Sequence, residues 1–207
     1  MKLKKKYTYV CVGNGLLGII QVYAVMNSVL DDGIHMLQYY TELSNLFSGF
    51  VALAMAYYAY QYYKNESKIP MRIRNLRFTT VCLTTITFLV AVFVLGRTFG
   101  YSWILFHGQM LYTHTICPIL SFILFVFFEK EPPLKKEAIL QTLLPTALYG
   151  MVVIPLNILK VMVGPYPFLR VYEQPWYVSI LWFVGIGIFA YGLAKSIYYL
   201  SQTNWDK

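Results

Sequence analysis

Tyr40-Thr41-Glu42-Leu43-Ser44-Asn45-Leu46, leading into the apolar run from Phe47 to Tyr63, is the stretch that decides how this chain folds. The run is long enough for a membrane helix, which needs about 20 mostly apolar residues. Its opening turns are nevertheless polar: a hydroxyl, a carboxylate, a second hydroxyl and an amide. Polar groups entering a bilayer are costly, so such a cluster marks a candidate functional site. Thr41, Ser44, Asn45 and Ser48 are spaced i, i+3, i+4, i+7 and therefore share one helix face.

Composition extends this reading to the whole chain. Its 207 residues are 58% hydrophobic, 18% aromatic and 13% charged, with a mean hydropathy of +0.54. A soluble domain has about 45–50% apolar and about 25% charged residues. The expected fold is therefore all-α: a polytopic six-transmembrane-helix bundle forming a single domain over residues 1–207. The predicted helices are 7–30, 41–63, 76–97, 107–128, 138–159 and 176–194. Asn14, Gln21 and Asn27 lie close to one face of the first, which must point into the bundle because lipid offers amides no partner. Five tyrosines between Tyr57 and Tyr63 form an aromatic belt at the far end of the second. Thr79, Thr80, Thr84, Thr85 and Thr87 in the third read as hydroxyls bonded back to helix carbonyls. Pro145, Pro155 and Asn157 predict kinks in the fifth. The stretch 160–175, rich in Pro, Gly and Tyr, is not regular helix.

The net charge of +8 does not point to nucleic acid, because the cations sit in short loops rather than in one patch. Fourteen of the 17 Lys and Arg fall on one side of a six-span bundle: at the N-terminus, in loops 64–77 and 129–137, and in the tail. Only Arg97, Lys160 and Arg170 fall on the other. Positive residues stay inside, so both termini are expected in the cytoplasm of a multi-pass cell-membrane protein. Cys11, Cys82 and Cys117 lie in apolar runs and form no paired motif. The basic start, Met1 to Lys6, looks like a signal-peptide head. The apolar stretch after it is long and has no A-x-A site, so it is read as a retained helix.

This topology puts Thr41 at the outer end of helix 2. His114 then lies about 10 Å down helix 4 from the same side, so both fall at a similar shallow depth. A neutral imidazole there can take a proton from a hydroxyl, which then attacks an ester carbonyl. Asn45, one turn from Thr41, is a candidate donor to the developing oxyanion. Arg97 and Lys160, at outer helix ends, are candidates for binding a fatty carboxylate. Each residue also has a structural reading. Thr41 can cap helix 2, with Glu42 set against the helix dipole. Ser44, Ser48 and Gly49 are small residues that let helices approach. Arg97 and Lys160 can be snorkelling end residues. Two other function classes compete: a non-catalytic lipid- or small-molecule-binding or transport protein, and a zinc hydrolase using His35, His107, His114 and Glu42. The zinc reading is the weaker, because His107 and His114 stand about 10 Å apart along one helix and no HExxH occurs.

Three stretches resemble the androgen-induced and androgen-dependent six-helix membrane hydrolases and their bacterial relatives. Tyr40-Thr41-Glu42-Leu43-Ser44-Asn45-Leu46 is similar to the family's aromatic-x-Thr-x-x-Asn-Leu segment. His114-Thr115-Ile116-Cys117-Pro118 resembles its histidine segment, and Gly164-Pro165-Tyr166-Pro167-Phe168-Leu169 its Tyr-Pro-Phe-Leu loop. Their order fits along nearly the full chain. The resemblance implies a lipid-ester hydrolase with Thr41 as nucleophile and His114 as base. It implies fatty acid esters of hydroxy fatty acids as substrates, and no metal or organic cofactor. Ser44, Asn45, Glu42, Arg97, Lys160 and Tyr166 are then candidates for substrate binding or oxyanion support. Glu42 and Arg170 depart from the family pattern, and Ser44 is a rival nucleophile.

Overall fold

The computed structural model describes residues 2–203, with side chains from Lys6 onward. Among the described residues there is no strand. Six long helices follow one another: α1 (Lys2–Asp32), α2 (Tyr40–Asn65), α3 (Met71–Phe99), α4 (Gly108–Phe128), α5 (Ala138–Ile158) and α6 (Trp176–Gln202). A 3-10 turn, Ile34–Gln38, links α1 to α2, and a short helix, Tyr101–Phe106, lies between α3 and α4. α1, α3, α4, α5 and α6 are long and apolar enough to cross a membrane, which is the make-up of a helical membrane protein. α2 is not among these five, because its tyrosines and its polar first turns lower its hydropathy although it is 26 residues long.

α1 and α2 cross closely where Gly18 meets Gly49. A Cβ on Gly18 would lie 2.8 Å from the Gly49 carbonyl oxygen, and one on Gly49 would lie 2.9 Å from Val22 Cγ2. Here small residues let two helices approach. Asn14 and Gln21 both turn inward on α1 and are fully buried. One apolar cluster, around Phe78, Phe125 and Ile197, joins α3, α4 and α6. A second, around Leu95, Ile104, Val153, Tyr166 and Leu169, closes the other end of the bundle.

α3 starts at Met71, after Pro70, rather than at Leu76. Arg72, Arg74 and Arg77, read from sequence as loop cations, are therefore on a helix. Arg74 and Arg77 are fully buried, as is Glu129, which follows α4. Arg77 Nε donates to Glu129 Oε1 at 3.2 Å, and Arg77 Nη1 to Ser121 Oγ at 2.8 Å. Asn14 Nδ2 donates to the same Glu129 oxygen at 2.8 Å. The Arg74 guanidinium lies 4.2 Å from the Phe125 ring centroid and 4.0 Å from Glu129 Oε2. The carboxylate draws both arginines out of the loop, since buried charges require partners. Lys207 and the side chains of Lys2, Lys4 and Lys5, counted for orientation, lie outside the described residues.

Candidate functional site

The polar start of α2 meets α4 and the loop before α6. α2 begins at Tyr40, and Tyr39 occupies the capping position. Thr41 is therefore inside the helix and does not cap it through its side chain. Its free N–H is taken instead by the loop: Thr41 N donates to the Tyr166 hydroxyl at 3.1 Å. That contact satisfies one of the four unpaired amides of a helix start.

The Thr41 hydroxyl is 5% exposed by residue and His114 6%. Thr41 Oγ1 stands 3.3 Å from His114 Nε2 and 3.2 Å from the Tyr166 hydroxyl. One proton assignment links the three residues in a chain. Thr41 N–H donates to Tyr166, Tyr166 O–H donates to Thr41 Oγ1, and Thr41 O–H donates to His114 Nε2. This requires the His114 tautomer with its proton on Nδ1, which faces the Met110 carbonyl one turn back, outside hydrogen-bonding geometry. His114 lies in a π-helical turn of α4, Leu111–Ile116. Such turns recur at functional sites because they re-aim side chains within a helix. Burial pushes the Tyr166 phenol up to about 12, so it remains a donor at any ordinary pH.

The other candidates separate into supports and bystanders. Asn45 is a bolt between helices. Its Nδ2 donates to the Thr41 carbonyl at 2.9 Å and to the Thr113 carbonyl at 3.0 Å, while its Oδ1 accepts from Gln21 Nε2 at 3.2 Å. With both amide hydrogens engaged, Asn45 is not placed to donate to an oxyanion. It fixes the backbones on either side of the Thr41–His114 pair. The Ser44 hydroxyl bonds the Thr41 carbonyl at 3.0 Å and the Thr87 hydroxyl at 3.1 Å, not His114. Glu42 is buried, with its carboxyl near Ser28 of α1. Arg97 and Lys160 are exposed and do not line the cavity beside Thr41. Lys160 takes a left-handed conformation (φ 57°) just past the end of α5, with its ammonium 5.1 Å from the Tyr172 ring centroid. Neither cation is positioned for a carboxylate at Thr41.

In front of Thr41 is a cavity of about 280 Å³ between α2, α3, α5 and α6, roofed by the 160–175 loop. It sits near the lower end of ordinary ligand pockets, about 300 Å³. Thr41 and Tyr166 line it, and His114 stands behind Thr41. The roof is held tightly. Asn157 Nδ2 donates to the Met162 carbonyl at 2.9 Å, and its Oδ1 accepts from Val171 N at 2.9 Å. Phe168 stacks on Tyr166 with ring centroids 5.3 Å apart. A Cβ on Gly164 would lie 2.5 Å from the Leu169 carbonyl oxygen, so only glycine lets the loop close here.

The histidines and acids considered for zinc do not gather. Among the described residues no three His, Cys, Asp or Glu side chains come together to hold an ion. His35 is exposed, and His107 stacks on Trp103 with ring centroids 4.0 Å apart. Sequence reasoning missed the tyrosine pair beside the site. Tyr40 and Tyr149 pack edge to face at 5.2 Å, with Tyr40 bonded to Thr146 and Tyr149 to the Gln38 carbonyl. No protein-family model, curated protein or solved structure matches this chain.

Proposed function

We propose that this protein is a six-span, multi-pass hydrolase of lipid esters in the cell membrane, with α2 as the sixth span and both termini in the cytoplasm. Thr41 is the nucleophile and His114 the base. The observation that carries the reading is a threonine hydroxyl 3.3 Å from a buried imidazole nitrogen, with an apolar cavity on its open side. A merely structural hydroxyl would more commonly bond a carbonyl of its own helix, as Thr84 and Thr85 do.

The chemistry follows from the geometry. His114 Nε2 takes the Thr41 proton as Oγ1 attacks the ester carbonyl carbon. The Tyr166 phenol, 3.2 Å from that oxygen, is the nearest donor for the oxyanion. His114 returns the proton to the departing alcohol, leaving an acyl-threonine. Water attacks the acyl carbon, its proton passes to His114, and the acid leaves as Thr41 recovers its hydrogen. The fit to the three family-like motifs supports the same assignment of Thr41 and His114.

The test is covalent labelling in detergent with a lipophilic fluorophosphonate, mapped by mass spectrometry. An adduct on Thr41 that disappears in His114→Ala is the expected result. Thr41→Ser should still label, since it keeps the hydroxyl and removes only the crowding methyl. An adduct on Ser44 would replace the nucleophile. No adduct in folded protein would favour the non-catalytic lipid-binding reading. The span count is tested separately by single cysteines in loops 31–39 and 64–70, which must label from opposite sides of the membrane.

A further inference from the structure

We infer that the substrate of this site is an uncharged ester carrying an apolar chain on both sides of its carbonyl. The inference rests on the hydrolase reading above and narrows it. The cavity is a slot running along the helices. α5 lines it from Leu143 to Ile154 and α6 from Ser179 to Ala190. Each stretch is twelve residues of helix and rises about 16 Å.

Thr41 enters the slot near its middle. Tyr40 bonds Thr146 and Tyr149 bonds the Gln38 carbonyl, which sets the start of α2 level with the centre of the α5 wall. Ser44 bonds Thr87, so Thr41, one turn outward, stands level with the middle of the α3 wall between Ile86 and Leu95. A carbonyl held at Thr41 therefore has slot on both sides. One arm runs inward toward Ile86, Leu143 and Ala190, and the other outward toward Leu95, Ile154 and Leu169.

Among the described residues, no Lys, Arg, His, Asp or Glu lines the slot. Its other hydroxyls each have a partner within the protein: Thr87 bonds Leu83 and Ser44, Thr146 bonds Tyr40, Tyr149 bonds Gln38, and Ser179 accepts from Gln174. Thr41 and Tyr166, at the centre, are the lining hydroxyls linked to the His114 imidazole. A carboxylate, phosphate or ammonium on either arm would be dehydrated without a partner. The slot thus selects one central ester dipole flanked by hydrocarbon.

The experiment compares hydrolysis of hexyl hexanoate, whose extended chain matches the slot, with that of two analogues by the purified protein in detergent. One analogue carries a carboxylate at the far end of the alkoxy arm, the other at the far end of the acyl arm. The expected result is a kcat/KM for the neutral ester at least tenfold above both. Equal rates, or preference for either carboxylate, would overturn the inference. Thr41 labelling by the fluorophosphonate is read in parallel. Labelling without turnover of the neutral ester overturns the substrate class alone, whereas loss of labelling sinks the hydrolase reading and this inference with it. A second variant, Ala190→Phe, fills the inner end. With Thr41 labelling intact, it should slow hexyl hexanoate and only one of hexyl acetate and methyl hexanoate, identifying the inner arm. Equal loss or no loss on both short esters would show that the slot does not hold two arms.

Discussion

Tyr166 does two things through one oxygen atom. It closes the N-terminal end of α2 by accepting from Thr41 N, and it donates toward Thr41 Oγ1. Tyr166→Phe separates these roles from packing, because the ring and its stacking on Phe168 remain. The loss of the bond to Thr41 N should destabilise the protein by about 1 kcal/mol. The loss of an oxyanion donor should lower kcat by about 10²-fold or more with little change in KM. Steady-state kinetics beside thermal unfolding make the check, and a fall confined to stability would leave Tyr166 a helix support alone. The phenol is pushed up to about 12 by burial, so its donor role should add no limb to the pH–rate profile below about pH 10. A rate that falls with a midpoint near pH 10 would mean that this phenol is not buried during turnover. Thr41 and His114 were legible in sequence because helical spacing and equal depth are one-dimensional quantities. The role of Asn45 was not. An amide one turn from a candidate nucleophile looks like an oxyanion donor until the Thr113 carbonyl of another helix takes its second hydrogen.

Among the elements, the long helices were the most readable part of the chain, since apolar length alone marks them. Their ends were less so. α3 begins five residues before the predicted start because Arg74 and Arg77 are drawn into the bundle, where a scan for apolar runs stops. The π turn holding His114 leaves no pattern in the sequence that apolar counting can detect. The 160–175 loop was legible as irregular, but the contact by which it closes was not. Its closure depends on Gly164, whose missing side chain lets the Leu169 carbonyl approach. Gly164→Ala puts a Cβ into backbone that has no flexible end to move aside, at a cost of roughly 1–3 kcal/mol. The loop can relieve this by opening, which withdraws Tyr166 from Thr41. The variant should therefore lose hydrolysis to at least the extent of Tyr166→Phe while helical content by circular dichroism stays unchanged. Full activity in Gly164→Ala would show that the roof does not govern the site.

At the scale of the whole molecule, the bundle carries two polar centres, and the one sequence reading missed is the more heavily charged. Glu129 holds Arg77 and Asn14 and lies beside Arg74, joining α1, α3 and the end of α4. The partners are separated by 52 and 115 residues in the chain, so no local window links them, and charge counting assigned both arginines to a solvated loop. Removing one member of a buried pair leaves the other charged and unpaired, which is strongly destabilising, by about 3–5 kcal/mol. Glu129→Ala should therefore reduce folded protein and thermal stability well beyond Asn14→Ala, which removes a neutral donor. Arg77 keeps its bonds to Ser121 in that variant but has no countercharge left. The pair's attraction must be set against the desolvation of three ions, so replacing all three with apolar residues should be far milder than replacing Glu129 alone. The informative comparison is Glu129→Leu against the triple variant Arg74→Leu, Arg77→Met, Glu129→Leu, with detergent melting temperature and Thr41 labelling read together. Recovery of both in the triple variant means the centre is a clasp that holds the helices together. Recovery of melting temperature without labelling means that the charges also act on the candidate site around Thr41.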